Sequence, residues 1–550
     1  MKSLPEDTAL GKSLIHHAGT AFKGGILKGK KTLLVLLAIV LAAGVTALSI
    51  TGYKKKPPKP AGGEIVIGTT ERVAKLDPAE AYDFYTWEVF QNIYQTLLVY
   101  TPGTTDLVPG LAAEMPISSA DLKEWTFKLR DGLKFSDGTP ITAETVKYSI
   151  DRVITIKSDP SWLVGNFVDH VEVIDPLTVT FVLKQPVAYF TSLVAVPTYS
   201  VIDPKVYPAD KTVADPAAFN TTGPYVIEKF ARDVELVLVK NPNYHGDVPL
   251  NDKVIVKFYK DAMTLRLAVE KGEIDIAWKA LNPSDIRDLK ENPNLKVIEA
   301  SGASIRFLCM VCNGEPFKEK ILREAVSAAM DRTSVVDKVF LGTVEPLYSM
   351  VPIGMWSHKD SFEDEYGEYN IEKARELLKG LGYDETKPFT FELWYTPSHY
   401  GDTEADVALL IKRGLEATGV VKAELKSAEW GTYIENRDKR NMSAFLLGRF
   451  PYYFDPDDYT AVFALTEASH GQGIFYSDPK MDEILLTAQV TTEKKERTKI
   501  YEEAQDYWAK EVPTCPLFQS KLFLVTQPHI EGIAVGPTMI FNYDVVYRTK

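Results

Sequence analysis

The alternation of apolar and polar positions is clearest over residues 125–152. The segment begins WTFKL, in which every second residue is apolar, and this pattern predicts a strand buried on one face. Asp-Gly pairs at 131–132 and 137–138 are typical of turns, because glycine tolerates a positive φ and aspartate hydrogen-bonds the nearby backbone. Thr142 follows as a suitable N-cap, with Glu144 in the first turn of the helix it would begin. We therefore expect a strand, a compact corner and a helix, as in an α/β domain.

Other stretches show either the period-two alternation of a strand or the 3.6-residue spacing of a helix. Strands are predicted at 64–68, at 171–183 as a hairpin that turns at Asp175-Pro176, and at 516–525. Helices are predicted at 87–98, 321–332, 370–378, 403–417 and 494–510, with Asn370 as a cap. The first of these helices carries an aromatic stripe, which we interpret as core.

A run of nineteen residues without a charge, Thr32–Ile50, has the length of a membrane-spanning helix. At about 1.5 Å per residue it matches a hydrocarbon core of about 30 Å. Residues 1–31 before it are polar and Lys-rich, and the linker at 51–61 is rich in lysine and proline. We predict an uncleaved transmembrane anchor; a cleaved signal peptide is the alternative, although the segment before the apolar run is long for one. Lysines flank both ends, so charge alone does not decide the orientation.

Composition narrows the class of protein. A chain of 550 residues is too long for one ordinary core, and 45% hydrophobic and 25% charged residues are typical of a globular protein. The net charge of −13 argues against a nucleic-acid partner, which needs a positive surface. The eight histidines lack the spacing of a metal site. Cys309, Cys312 and Cys515 are either buried thiols or include one disulfide.

Residues 125–152 resemble the signature of the extracellular solute-binding proteins of family 5, the oligopeptide and dipeptide receptors of ABC importers. Residues 106–112 are similar to the lead-in of that signature. Further motifs are similar to hallmarks of the same family: Leu76-Asp77-Pro78, Thr222-Gly223-Pro224-Tyr225, Asn241-Pro242-Asn243-Tyr244 and Gly272-Glu273-Ile274-Asp275. The resemblance covers nearly the whole chain from Glu64 onward.

This resemblance implies an α/β fold of the type II periplasmic-binding-protein class, with two lobes joined by crossover strands and one lobe interrupted by an inserted domain. Such a receptor closes on its ligand by hinge motion. The expected segments are lobe I at 62–85, 196–303 and 515–550, the inserted domain at 86–195, and lobe II at 304–514. The cysteines would lie in adjacent crossover strands, so we predict a disulfide from Cys515 to Cys309 or Cys312.

The candidate ligand loop begins at Gly448 and reads GRFPYYFDPDDY. Its aromatic residues, Phe450 and Tyr452 among them, suit stacking on a ligand, and Arg449 and Asp455 suit its polar ends. In the peptide receptors that this loop resembles, an aspartate four residues after the glycine pairs with the α-amino group of the peptide. This chain has Tyr452 at that position. The Asp-Pro-Asp that begins at Asp455 does match the family, although it also suits the start of a helix.

Three residues outside the loop complete the candidate site. Trp430 and Arg437 precede the loop at the spacing of the pocket tryptophan and arginine of the oligopeptide receptors, with a core tryptophan and a surface arginine as the alternatives. Glu71, after the first strand, matches a pocket-side acid approximately. If a peptide amine binds in the usual pose, Asp455 or Glu71 must replace the missing aspartate. Otherwise the ligand lacks a critical cationic amine.

The resemblance thus implies a receptor at the cell membrane, with residues 1–31 in the cytoplasm, a single-pass anchor and the ligand-binding part outside. It would capture di- or oligopeptides by lobe closure and deliver them to an ABC permease with its ATPase subunits, as a monomer and without a cofactor. An oligosaccharide receptor of the same family is the alternative.

An enzyme is the third hypothesis. A secreted hydrolase could use Asp455, Asp457 and Asp458 as acid and base, but carboxylates this close in sequence more often form a turn. Nickel or haem binding, known in relatives, has no local support in the sequence. We therefore expect a binding protein rather than an enzyme.

Overall fold

The computed structural model describes residues 62–279 and 281–549. The described residues belong to one compact unit, Pro60–Lys550. The predicted anchor at 32–50 and the segments that flank it lie outside the described residues. Within the part that is described, no helix combines the length and the apolar character needed to cross a bilayer.

Strands and helices are interspersed along the described part of the chain. The strands are β1 (Glu64–Thr69), β2 (Leu98–Tyr100), β3 (Leu107–Pro109), β4 (Ile117–Ser118), β5 (Glu124–Lys128), β6 (Val168–Asp175), β7 (Thr178–Leu183), β8 (Tyr225–Ala231), β9 (Glu235–Lys240), β10 (Lys253–Phe258), β11 (Ile276–Trp278), β12 (Lys296–Met310), β13 (Val344–Pro346), β14 (Phe389–Tyr395), β15 (Val421–Ser427), β16 (Ala444–Arg449), β17 (Thr514–Thr526), β18 (Ile530–Glu531) and β19 (Tyr547–Arg548). The helices are α1 (Phe84–Ile93), α2 (Ala143–Ile156), α3 (Trp162–Gly165), α4 (Phe190–Leu193), α5 (Ala262–Glu270), α6 (Pro283–Lys290), α7 (Lys320–Ala328), α8 (Arg332–Lys338), α9 (Ser361–Tyr366), α10 (Ile371–Gly380), α11 (Glu404–Glu416), α12 (Trp430–Asp438), α13 (Asp457–Ala464), α14 (Thr466–Gly471), α15 (Pro479–Val490) and α16 (Lys494–Glu511).

One mixed sheet runs through the described part of the chain, in the order β15-β14-β16-β12-β17-β11-β1-β10-β9-β8, with β13 against β17. The long strands β12 and β17 are antiparallel neighbours at its centre. One buried apolar cluster is built from residues 303–518, and another mainly from residues 65–278 and 522–546. The two long strands therefore join two halves that each have a core. The lobe and insert boundaries given above stay predictions.

The strand, corner and helix predicted at 125–152 are confirmed. β5 buries its apolar residues in the small sheet β4-β5-β7-β6, in which β6 and β7 form the predicted hairpin. Gly132 and Gly138 adopt φ of 72° and 89° in the two turns. Thr142 is the N-cap of α2 and forms a capping box with Thr145.

The first predicted helix is shifted toward the N-terminus. α1 begins before Trp87 and ends at Ile93, so the predicted last turn at 97–98 lies outside it. The carbonyl of Ile93 accepts hydrogen bonds from the backbone N–H groups of Thr222 and Gly223 at 3.2 and 2.9 Å. A Cβ on this glycine would lie 2.7 Å from the Ile93 carbonyl carbon, so the Thr-Gly-Pro-Tyr motif needs glycine for this close approach.

The helix predicted at 321–332 is broken into two. α7 ends at Ala328 and α8 begins at Arg332, because the Asp331 side chain accepts a hydrogen bond from the Ser334 N–H at 3.0 Å and caps a new helix. The other three predicted helices are confirmed as α10, α11 and α16. The strand predicted at 516–525 lies within the continuous strand β17.

The predicted disulfide is wrong, since all three cysteines are free thiols. In the register of β12 and β17, Cys515 lies opposite Leu308, the neighbour of Cys309. Successive residues of a strand point to opposite faces of the sheet, so these two thiols face away from each other. The sulfur of Cys515 instead lies 3.4 Å from the hydroxyl oxygen of Ser327. Cys312 lies beyond the end of β12.

Candidate ligand-binding site

A cavity of about 510 Å³ lies beside the carboxyl end of β16. Its walls come from the segment after β16, from α12 and from residues near Tyr82 and Trp162 in the first part of the chain. Six of the eight predicted site residues line it: Trp430, Arg437, Gly448, Arg449, Phe450 and Tyr452. The volume suits a small organic ligand, whose pockets measure roughly 300 to 1,000 Å³.

Gly448 lines the cavity and has no room for a side chain. Its N–H donates to the hydroxyl of Tyr400 at 3.0 Å, and a Cβ would lie 2.7 Å from Nη1 of Arg306. The Arg306 guanidinium stacks on the Tyr400 ring, 3.5 Å from its centroid, and pairs with buried Glu404. This cluster holds the backbone where the candidate loop begins. Arg306 and Gly448 are far from Tyr400 and Glu404 in the sequence, so no local pattern could reveal the cluster.

Arg449 shapes the loop and presents its side chain to the cavity. Its Nη2 donates to one carboxylate oxygen of Asp458, and the other oxygen accepts from the Tyr452 N–H at 3.1 Å. The guanidinium carbon lies 4.4 Å from the Tyr452 ring centroid, a cation–π contact. Burial raises the pKa of Asp458 to about 7, although Arg449 and the Tyr452 N–H favour its charged form. Nε of Arg449 is buried and finds no acceptor among the residues the structure describes.

Aromatic side chains from distant segments meet at Tyr452. Its ring stacks on Tyr82, with centroids 5.3 Å apart and planes at 14°, and Trp162 packs edge-on against it at 5.6 Å. Phe450 stacks on Phe84 at 4.9 Å. Tyr82, Phe84 and Trp162 are not among the predicted site residues. The first two adjoin the aromatic stripe interpreted as core, which is the signal that could have pointed to them.

A second wall is formed where α12 begins. The Trp430 ring lies parallel to the imidazole of His399, with centroids 3.7 Å apart, and packs on buried Tyr433 at 6.0 Å. It therefore has core contacts and also faces the cavity. Burial lowers the pKa of His399, so its imidazole is neutral at pH 7. Arg437, in the same helix, donates from Nε to Asp438 at 3.0 Å.

The other two predicted residues do not line the cavity. Asp455 is 3% exposed, and its two oxygens accept from Arg497 at 2.6 and 2.8 Å. Glu71 follows β1, where its N–H donates to the hydroxyl of Thr69 at 3.1 Å. The structure thus brings six of the predicted residues together and leaves Asp455 and Glu71 apart. A binding role for each of the eight stays a prediction.

The aspartates of the hydrolase hypothesis are engaged in hydrogen bonds. Buried Asp457 accepts from the Tyr453 hydroxyl at 2.8 Å and from Gln489 Nε2 at 2.9 Å, while Asp458 pairs with Arg449. Both aspartates also lie in the first turn of α13, so the Asp-Pro-Asp does start a helix. In the described part of the chain, no group of three or more His, Cys, Asp or Glu side chains is arranged to hold a metal ion.

The sheet thus has two long central strands, and a ligand-sized cavity is walled by segments that are distant in the sequence. Residues 106–471 match the family model described as bacterial extracellular solute-binding proteins, family 5, middle region. The chain belongs to this family, and its fold is the type II periplasmic-binding-protein fold that the sequence predicts. The family consists of binding proteins, which confirms the prediction that the chain is not an enzyme.

Named relatives extend over nearly the full chain. It is 28% identical over 498 residues to the probable D,D-dipeptide-binding periplasmic protein DdpA of Escherichia coli K12, covering 88% of this chain and 94% of the relative. It is 27% identical over 520 residues to the glutathione-binding protein GsiB of Salmonella typhimurium, covering 92% and 97%. The structure of DppA from Helicobacter pylori in complex with peptide STSA superposes with a TM-score of 0.72 at 23% identity, covering 90% and 99%.

Proposed function

We propose that this chain is the substrate-binding protein of an ABC importer for di- or oligopeptides. The peptides and peptide-like ligands named for its relatives support this ligand class. The observation that carries the proposal is the cavity itself, because its wall combines the loop after Gly448 with Tyr82 and Trp162 from the first part of the chain. A ligand in the cavity contacts both segments at once, so its binding favours their closed arrangement.

In this proposal lobe closure is a hinge motion about the crossover strands β12 and β17. Lobe I comprises 62–85, 196–303 and 515–550, the inserted domain 86–195, and lobe II 304–514. Tyr82 and Trp162 then belong to lobe I and the insert, whereas Tyr452 belongs to lobe II. Their stacked rings would part on opening and meet on closure. The closed receptor would present its peptide to the permease and its ATPase subunits.

A peptide that binds in the cavity should raise the melting temperature of the protein and be recovered unchanged. A ligand that binds only the folded state adds about 2.7 kcal/mol to the free energy of unfolding at about one hundred times its Kd. Full-length protein in detergent is heated with peptide mixtures and, separately, with oligosaccharide mixtures. Mass spectrometry identifies the material that remains bound.

Two outcomes would count against this function. Stabilisation by oligosaccharides alone would select the sugar receptor of the same family. Hydrolysis of the stabilising solute by the purified protein would contradict a pure binding role. A Trp430→Ala variant is the site control: it should keep the fold of the wild type and lose most of the ligand-induced shift, because Trp430 lines the cavity.

We also propose that residues 32–50 anchor the protein in the cell membrane, with residues 1–31 in the cytoplasm. The nineteen uncharged residues support an anchor, and the extracellular family supports the orientation. The protein should resist extraction by carbonate and by high salt, dissolve in detergent, and expose the binding unit to external protease. Mature protein that begins after Ile50 would contradict the anchor.

A further inference from the structure

The side chains around the cavity carry positive charge and no carboxylate. Among its described lining residues, Arg437 and Arg449 are charged and none is aspartate or glutamate. Each arginine already forms an ion pair with an aspartate. Asp438 beside Arg437 has a side chain that is 59% exposed, and Asp458 is buried against Arg449. The aspartates that contact the two arginines of the cavity are therefore already paired with cations of the protein.

A ligand ammonium group would find no carboxylate partner among the described residues that line this cavity. The position of the family's amine-binding aspartate is taken by Tyr452, whose ring stacks on Tyr82. Asp455, the next acid of the loop, is held by Arg497. An ammonium group would lose its water without gaining a carboxylate, and the nearby guanidinium groups would repel it.

The cavity instead offers hydrogen-bond donors and aromatic side chains. Arg437, Arg449, Asn166 and Gln472 are among its lining residues, and their side-chain N–H groups can donate to a carbonyl or carboxylate oxygen of a ligand. The rings of Tyr452 and Trp430 line the same space. Tyr452 stacks on Tyr82 and Trp430 stacks on His399, and the remaining surface of both rings offers apolar contact for a neutral acyl group. Both features fit an acylated amino group better than a free one.

We propose that the ligands of this receptor are peptides whose amino terminus carries no positive charge, such as N-acylated peptides, and that Tyr452 is a specificity-determining residue. This inference rests on the proposed peptide-binding function and names the ligand class within it. The group that distinguishes such a ligand is its neutral terminal amide.

Isothermal titration calorimetry on full-length protein in detergent tests the inference with one set of tetrapeptides in free and N-acetylated forms. We expect each acetylated peptide that binds to do so at least as tightly as its free counterpart. A loss of affinity of about one hundredfold on acetylation would overturn the inference and leave the peptide-binding function intact. Failure of every peptide in both forms would overturn the proposed function and the inference with it.

The variant Tyr452→Asp restores the family's acid, and Tyr452→Asn is its neutral control of the same size. In the aspartate variant, free peptides should gain at least about tenfold in affinity relative to the acetylated forms, because a carboxylate can then pair with the amine. The asparagine variant should keep the wild-type preference. Melting temperatures verify that both variants fold. A folded aspartate variant with unchanged preference would overturn the role of Tyr452, and the wild-type comparison decides the ligand class even if a variant does not fold.

Discussion

Replacing Asp77 with asparagine should lower the free energy of unfolding by about 3 to 5 kcal/mol. The carboxylate is fully buried, and its oxygens accept from Nη1 and Nη2 of Arg152 at 2.7 and 2.6 Å. Asparagine has the same shape, so the packing changes little. Arg152, equally buried, keeps its charge and loses its partner, which is the costly part of the substitution.

The Asp77–Arg152 ion pair also connects segments of the chain that share no helix or strand. Asp77 accepts from the Val213 N–H at 2.8 Å, while Arg152 donates to the carbonyl oxygens of Pro208 and Lys211 at 2.7 and 2.8 Å. Losing the central ion pair therefore weakens the attachment of the loop before α1 and of the segment around residue 210 to helix α2. The effect should appear as reduced stability of this half of the protein.

Urea unfolding followed by tryptophan fluorescence measures the change, with Asp151→Asn as the matched control on the same helix. Asp151 is 43% exposed in its side chain and pairs with Lys147 at 2.7 Å. Such a surface pair contributes roughly 0 to 1 kcal/mol. If the two variants unfold at the same urea concentration, the buried ion pair does not contribute the predicted free energy of unfolding of about 3 to 5 kcal/mol.

Local sequence patterns identify the elements of this fold but not which elements contact each other. Asp77 and Arg152 both lie in motifs recognised in the sequence, yet nothing in either motif shows that side chains 75 positions apart form a pair. The same limit explains the broken helix after Ala328. Apolar periodicity continues through that segment, whereas the capping bond of Asp331 to Ser334 marks the start of a second helix.

The candidate site likewise combines residues that the local sequence identifies with residues that it does not. Residues 448–452 are neighbours in the chain, and Trp430 and Arg437 belong to the helix just before β16, so local resemblance was enough to place them together. Tyr82 and Trp162 reach the cavity from segments hundreds of residues away. Their place in the cavity wall depends on how the two halves pack, and the spacing of apolar residues along the chain does not predict such long-range packing.

Replacing Asp455 with asparagine should destabilise the protein by about 3 to 5 kcal/mol and leave the ligand Kd of the folded protein unchanged. The aspartate is buried and forms two hydrogen bonds with Arg497, at 2.6 and 2.8 Å. Arg497 lies in α16 and also donates to the Ala488 carbonyl at 2.8 Å and to the Tyr501 hydroxyl at 3.1 Å. The pair thus fastens the candidate loop to α15 and α16.

Chemical denaturation and calorimetry on the same preparation separate the two effects. Glu372→Gln is the control for loss of an ion pair at the surface, since its side chain is 74% exposed beside Arg375. That variant should change the free energy of unfolding by less than about 1 kcal/mol. A variant Asp455→Asn that keeps its stability and loses ligand affinity would instead assign this aspartate to the ligand.

The double variant Asp455→Asn with Arg497→Met further separates a structural role of Asp455 from a ligand-binding role. If Asp455 serves to neutralise Arg497, each single change leaves one buried charge unpaired, whereas the double change removes both charges and should recover a large part of the lost stability. If Asp455 instead bound a ligand amine, removing Arg497 would not restore affinity. Recovery of stability, with the same ligand Kd in all folded variants, would assign Asp455 to the framework of this loop and show that it does not serve as the acid of a ligand amine.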